Sequence, residues 1–181
     1  MTESHPRSDA VTSRVRLRDH NYAEPAYYFI TSNIERRLCL LGDINDDAFH
    51  ASPAGNMVAS VWDEIATRFP AVTLDAMVVM PNHLHGLIQI SVQEDGSPHP
   101  DAPSIPTIMH WFRTITTNRY IDGVKREGWP RYPTRLWQER YIDHVVRSER
   151  ALERIRNYIE ANPSQWPYDE DNPAKAVSSH R

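Results

Sequence analysis

The stretch that most constrains the fold is Ala76–Ile90, AMVVMPNHLHGLIQI. Two apolar runs meet at Pro81-Asn82. That pair is a turn signal, because proline presets φ and asparagine tolerates unusual backbone conformations. The pattern predicts two adjacent strands, Val72–Met80 and His83–Ile90, joined tightly. Side chains alternate along a strand, so His83 and His85 share one face while Leu84 points into the core. Two imidazoles on one face can share a metal ion. The same spacing also describes an ordinary half-exposed sheet face, so the pair takes its meaning from the rest of the chain.

Upstream, Tyr27–Ser32 is aromatic and β-branched and reads as the first strand. Ile34–Leu41 continues as an irregular arm carrying Arg36 and Arg37. Ser52-Pro53 is a helix start, and Met57, Val58, Val61, Trp62, Ile65 and Phe69 recur at helical spacing, which predicts a helix over Pro53–Arg68. Downstream, Ser91–Ser104 is a long Pro/Ser/Asp-rich loop. Ile105–Ile121 repeats its apolar residues at helical spacing. Leu136–Val146 alternates as a strand. Ser148 caps a last helix that Asn162-Pro163 stops. The order strand, helix, strand, strand, helix, strand, helix predicts an α+β, ferredoxin-like sandwich (βαββαβ) with an antiparallel sheet and one additional C-terminal helix. Residues 1–22 read as a flexible lead-in, 23–168 as a single domain, and 169–181 as a disordered tail.

On the last helix Tyr158 and Asn162 are four residues apart and share a face. If that face meets the His83/His85 strand, Asn162 Oδ1 becomes a third metal ligand and Tyr158 presents its oxygen to a substrate on the metal. Two imidazoles and a carbonyl oxygen suit a divalent ion, Mg²⁺ or Mn²⁺, with the histidines favouring Mn²⁺. A divalent ion neutralises and orients a phosphodiester. A tyrosine nucleophile suits a reversible covalent intermediate that conserves the bond for rejoining. Composition alone leaves Tyr141 and Tyr120 as rival nucleophiles, and Asn162 before Pro163 is more often just a helix stop.

The formal charge of −4 alone argues against a nucleic-acid partner. Its distribution argues the other way: between Trp111 and Tyr158 eleven basic residues face six acidic ones. Charge asymmetry is the more useful sign of a polyanion partner. Arg113, Arg119, Arg140 and Arg147 are candidate backbone contacts, and Trp137 a candidate stacking platform for unpaired bases. The alternative for this region is a solvated, arginine-rich helix face. The single cysteine, Cys39, rules out an internal disulfide framework and fits a reducing compartment. The first twenty residues hold no apolar leader core, and no stretch has the length and hydropathy of a membrane span.

Three segments in this order, MPNHLH, WQERYIDHVVR and RIRNYIEANP, resemble the single-tyrosine transposases of the insertion-sequence type. They resemble more closely the REP-associated tyrosine transposases. The similarity runs from about Tyr27 to Trp166. It implies that His83 and His85 are the metal pair of the family's His-hydrophobic-His (HUH) motif and that Tyr158 is the nucleophile. It further implies that Asn162 stands where relatives often carry glutamine. The reaction implied is endonucleolytic cleavage of single-stranded DNA through a 5′-phosphotyrosine, followed by strand transfer, with hairpin-forming palindromic repeats as the substrate. A bacterial cytoplasmic protein at the nucleoid is implied, monomeric rather than dimeric. Arg113 stands where relatives commonly have lysine. A catalytically idle hairpin-binding regulator on the same fold is the alternative reading.

Overall fold

Alternation along the first strand explains the two layers that enclose the sheet. In β1 (Ala26–Asn33), Tyr28 and Ile30 join the main core while Phe29 joins a second, smaller one on the other face. The computed structural model describes residues 26–178. The expected lead-in, residues 1–22, therefore lies outside the described residues.

After β1 come a hairpin of β2 (Gly42–Asn45) and β3 (Ala48–Ala51), then α1 (Pro53–Arg68), β4 (Val72–Met80) and β5 (His83–Ile90). α2 (Ile105–Arg126), β6 (Ile142–Val146), α3 (Glu149–Gln165) and a short α4 (Pro173–Ser178) complete the chain. The four-stranded sheet has the order β4-β5-β1-β6, every neighbour antiparallel. This is the ferredoxin-like order that βαββαβ connectivity produces, and it bears out the expected α+β fold. The main core packs α1 (Val58, Trp62, Ile65) and α2 (Ile108, Met109, Phe112) on Tyr28, Ile30, Leu84 and Ile88. α3 covers the opposite face, with Leu152 and Ile159 on Phe29, Leu87 and Val146.

Three serines start the three long helices, two of them, Ser52 and Ser148, as the sequence predicts. Ser52, Ser104 and Ser148 each accept a hydrogen bond from the backbone N–H three residues on, Gly55, Thr107 and Ala151 respectively. Gly86 has a packing reason. A Cβ there would lie 2.1 Å from Trp62 Cζ2, so the missing side chain lets the α1 indole rest directly on β5.

Several expectations are corrected. The β2–β3 hairpin is additional; its turn residues Asp46 and Asp47 both take positive φ, 51° and 59°, without the Asn-Gly signature that marks such turns. The strand expected over Leu136–Val146 is confined to Ile142–Val146, because Leu136 and Trp137 are drawn into the main core instead. α2 runs past Ile121 to Arg126, with the Trp129 ring seated in the space a Cβ on Gly123 would fill. α3 does not stop at Asn162-Pro163 but continues to Gln165. Proline this close to the helix end forfeits one hydrogen bond without a further turn to break. Residues 169–178 are not a featureless tail: 169–172 fold back onto the sheet and 173–178 form α4.

Candidate active site

The sheet register assembles the site from backbone geometry. Asn33 of β1 lies opposite His83 and Thr31 opposite His85. On the other side Met80 pairs with His83 across the two-residue Pro81-Asn82 turn. Both histidines thus face α3, with ring centroids 4.7 Å apart. They are nearly inaccessible, His83 at 0% and His85 at 5%.

His83 has one ring nitrogen engaged and His85 has both. Asn82 Nδ2 donates to the carbonyls of Arg37 (3.0 Å) and Asp171 (2.7 Å), which leaves Oδ1 as the atom 2.9 Å from His83 Nδ1. An amide oxygen only accepts, so His83 carries its proton on Nδ1 and its lone pair on Nε2. That Nε2 is buried with no hydrogen-bond partner. His85 Nδ1 is 2.8 Å from Thr31 Oγ1, and its Nε2 is 3.2 Å from the Tyr158 hydroxyl. Phe29 stacks on the His85 ring at 5.4 Å and meets Tyr158 edge-on at 6.0 Å, which fixes both rings.

Tyr158 and Asn162 reach this place because α3 crosses the sheet with Ile159 buried between them and the core. Tyr158 is 48% exposed, open to a large substrate on one side and against His85 on the other. Asn162 is buried, hydrogen-bonds the Tyr158 side chain, and keeps an orphaned Oδ1. His83, His85, Tyr158 and Asn162, four residues singled out in the sequence, therefore stand together.

Electrostatics follow from burial. Desolvation lowers the His83 pKa, against the raising influence of Asp169 and Asp171. Desolvation, and secondarily His83, holds His85 well below the usual histidine value. Both rings are neutral at pH 7, the form that binds metals. Burial raises the Tyr158 phenol, opposed by the Asn162 hydrogen bond and reinforced by Asp169 and Asp171. Tyr120 is excluded as a rival nucleophile: it is fully buried, donates to the Pro130 carbonyl, and burial pushes its phenol up to about 12. Tyr141 lies away from the histidines, in a groove of about 610 Å³ between α2 and the 132–141 segment.

The residues expected to hold DNA are spread differently. Arg140 and Arg147 are exposed. Arg119 is paired with Glu64 through two hydrogen bonds, 2.6 and 2.9 Å. Arg113 donates to the backbone carbonyls of Gln138 and Glu139, so it holds the 136–141 segment against α2. Trp137 does not offer a stacking face: it is 3% exposed, packed on Phe112, with its indole N–H on Thr116.

Sequence reasoning missed Asn82 as a site residue, reading it only as a turn, and missed Thr31, Arg37, Asp169 and Asp171. Arg37 Nε pairs with Asp171 at 2.9 Å, and Asp169 Oδ2 lies 3.9 Å from His83 Nε2. Arg36 and Arg37 take left-handed φ of 56° and 55°, a strain of about 1–3 kcal/mol each. The bend it forces brings the Arg37 carbonyl to Asn82. Register could have found Thr31, opposite His85; no sequence signal marks the others.

A ferredoxin-like sheet sets a His-x-His pair beneath a helix-borne tyrosine, the arrangement that the sequence resemblance implies for a transposase. The chain belongs to the family of IS200-like transposases, whose model matches residues 26–162. An uncharacterized protein of Haemophilus influenzae is 33% identical over 164 residues, covering 86% of this chain and 90% of its own. The solved structure of a REP-associated tyrosine transposase bound to a REP hairpin superimposes with a TM-score of 0.57 at 19% identity, over 81% of this chain and 71% of that one, and shows the same fold. A transposase from Deinococcus radiodurans is 20% identical with a TM-score of 0.48, over 81% of this chain and 96% of its own.

Proposed function

We propose that the protein cleaves and rejoins single-stranded DNA at hairpin-forming repeats, with Tyr158 as nucleophile and a divalent metal, Mn²⁺ or Mg²⁺, held by His83, His85 and Asn162. The observation that carries this reading is the Tyr158 hydroxyl 3.2 Å from His85 Nε2, beside two buried, unpartnered lone pairs on His83 Nε2 and Asn162 Oδ1. Buried acceptors without donors cost about 1–3 kcal/mol each, and a cation among them removes that cost. Among the described residues no three His, Cys, Asp or Glu side chains stand as a ready-made metal cluster without an ion to gather them. The fit therefore depends on the Asn162 carboxamide as a neutral oxygen donor. Trp166, Asp169, Asp171 and Arg37 flank the site on the side of His83, while the exposed edge of Tyr158 stays open to DNA.

In the reaction, the Tyr158 oxygen attacks a backbone phosphorus. The P–Oη bond forms as the P–O3′ bond breaks. The 3′ oxygen leaves with the electron pair and takes a proton from water, and the phenol proton is lost to solvent on the exposed side. A bound divalent ion would neutralise phosphate charge and favour the phenolate. Asn162 holds the phenol in place through their hydrogen bond, and Phe29 keeps the ring from rotating away. Attack by the freed 3′-hydroxyl, or another, on the phosphotyrosine reverses these steps and rejoins DNA. The solved relative bound to a REP hairpin supports hairpin repeats as the partner. That the histidines and the tyrosine come from one chain supports a monomeric working form.

Labelled single-stranded hairpin DNA is incubated with protein and Mn²⁺ and resolved on a denaturing gel. Wild type is expected to give a shifted covalent band that Tyr158→Phe and His83→Ala do not. Hairpin binding retained by all three proteins, with no adduct from any across metals and targets, would replace this reading by that of an idle DNA-binding regulator.

A further inference from the structure

Asp169 and His83 face each other with two acceptor atoms. His83 Nε2 is a lone pair, because Nδ1 carries the proton to Asn82. Asp169 Oδ2 is 3.9 Å from it, too far for a hydrogen bond. The carboxylate does not drift into this place. Its Oδ1 accepts from the backbone N–H of Asp171 at 2.7 Å, which turns Oδ2 toward the histidine. Asp171 is in turn clamped from three sides. Its carboxylate takes Arg37 Nε (2.9 Å) and Asn33 Nδ2 (3.2 Å), and its carbonyl takes Asn82 Nδ2 (2.7 Å). Arg37 Nη1 also donates to the Glu170 carbonyl at 2.7 Å.

A buried lone pair opposite a carboxylate oxygen is repulsive unless a cation lies between them. A metal ion bound by both acceptors removes that repulsion. Two donors bound to one ion at bonds of about 2.0–2.2 Å lie roughly 3–4 Å apart, which the observed separation matches.

We propose that Asp169 is an additional ligand of the divalent metal, supplied by the segment after α3, so that the ion ties residues 169–171 to the histidine pair. This rests on the metal reading of the His83–His85–Asn162 site. The other three donors are neutral; a carboxylate lowers the net charge of the loaded site by one and makes the donor set two nitrogens and two oxygens. That set favours Mn²⁺ and Mg²⁺ over softer ions. In a six-coordinate ion it leaves two positions for phosphate oxygen and water.

The test is Mn²⁺ binding by the full chain, read as free Mn²⁺ by electron paramagnetic resonance, with the Mn²⁺-induced rise in Tm as a second readout. Asp169→Asn is isosteric and keeps an acceptor for the Asp171 N–H. It is expected to weaken Mn²⁺ at least tenfold and to shrink the Tm rise. Asp169→Glu should recover part of the affinity, and Glu170→Gln, exposed and adjacent, should match wild type. Hydrogen exchange at 166–172 should slow on adding Mn²⁺ in wild type and not in Asp169→Asn. Equal Mn²⁺ affinity in wild type and Asp169→Asn, with His83→Ala abolishing it, would overturn the role of Asp169 alone. Absence of binding by folded wild type would overturn the metal reading and this inference with it.

Discussion

Asn82 dictates the tautomer of His83. Its amide is oriented by two carbonyls, those of Arg37 and Asp171, so its oxygen must accept the Nδ1 proton and Nε2 is left bare. An outer partner that orders a metal-binding histidine is typically worth about 10–100-fold in affinity. Asn82→Ala is expected to weaken Mn²⁺ by that factor, measured by calorimetry, and to reduce adduct formation in parallel. Unchanged affinity would mean that the ring is held by packing alone.

Acid should destabilise the fold through the histidine pair. Both have folded pKa values below the unfolded value of 6.5, by burial. As pH falls through 6.5 the unfolded chain takes up protons that the folded chain refuses. Stability present above 6.5 is therefore lost below it, by up to about 1.4 kcal/mol per pH unit for each group, until the folded pKa is reached. Urea midpoints without metal should fall between pH 7 and pH 5. His83→Gln/His85→Gln should flatten that slope, and a slope as steep in the double variant would assign the acid sensitivity to other groups.

Trp137 separates a packing role from a stacking role. As a core residue touching Phe112 and Thr116, its change to alanine should cost about 3–5 kcal/mol of stability. Hairpin affinity of the fraction that remains folded should change little. Full stability with a lost DNA contact would be the opposite result, and titration plus urea unfolding distinguishes them.

Gly86→Ala drives a methyl group into the Trp62 ring. Overpacking of this kind costs about 1–3 kcal/mol. Trp62→Phe in the same chain should recover part of it, because the smaller ring withdraws from β5. A Gly86→Ala protein with an unshifted thermal midpoint would show that α1 can move aside.

The reach of the sequence followed the range of the forces involved. Alternation placed His83, Leu84 and His85 correctly because a strand's faces are set by its own backbone. Helical spacing likewise paired Tyr158 with Asn162, and serine caps placed the starts of α1 and α3. What was illegible depends on contacts distant in sequence. Leu136 and Trp137 alternate like strand residues, yet the space beside α2 claims them. Asn162-Pro163 carries a stop signal that the local geometry near a helix end overrides. Asp169 and Asp171 look like a solvated acidic tail, and only the fold brings Arg37, Asn33 and Asn82 around to meet them. Asp46-Asp47 turns a hairpin without the glycine that would announce it.

The anchoring of α3 sets how the tyrosine behaves in time. Of its seventeen residues only Leu152, Ile159 and Asn162 are buried, while β5 is buried along nearly its whole length. Segments with few buried apolar residues open at lower free energy than the fold around them. The helix bearing Tyr158 can thus lift from the sheet while the histidine strand stays intact. Native-state hydrogen exchange should show it as a separate, faster unit. If Tyr158 is the nucleophile proposed above, that motion would carry an attached strand end away from one partner and toward the next.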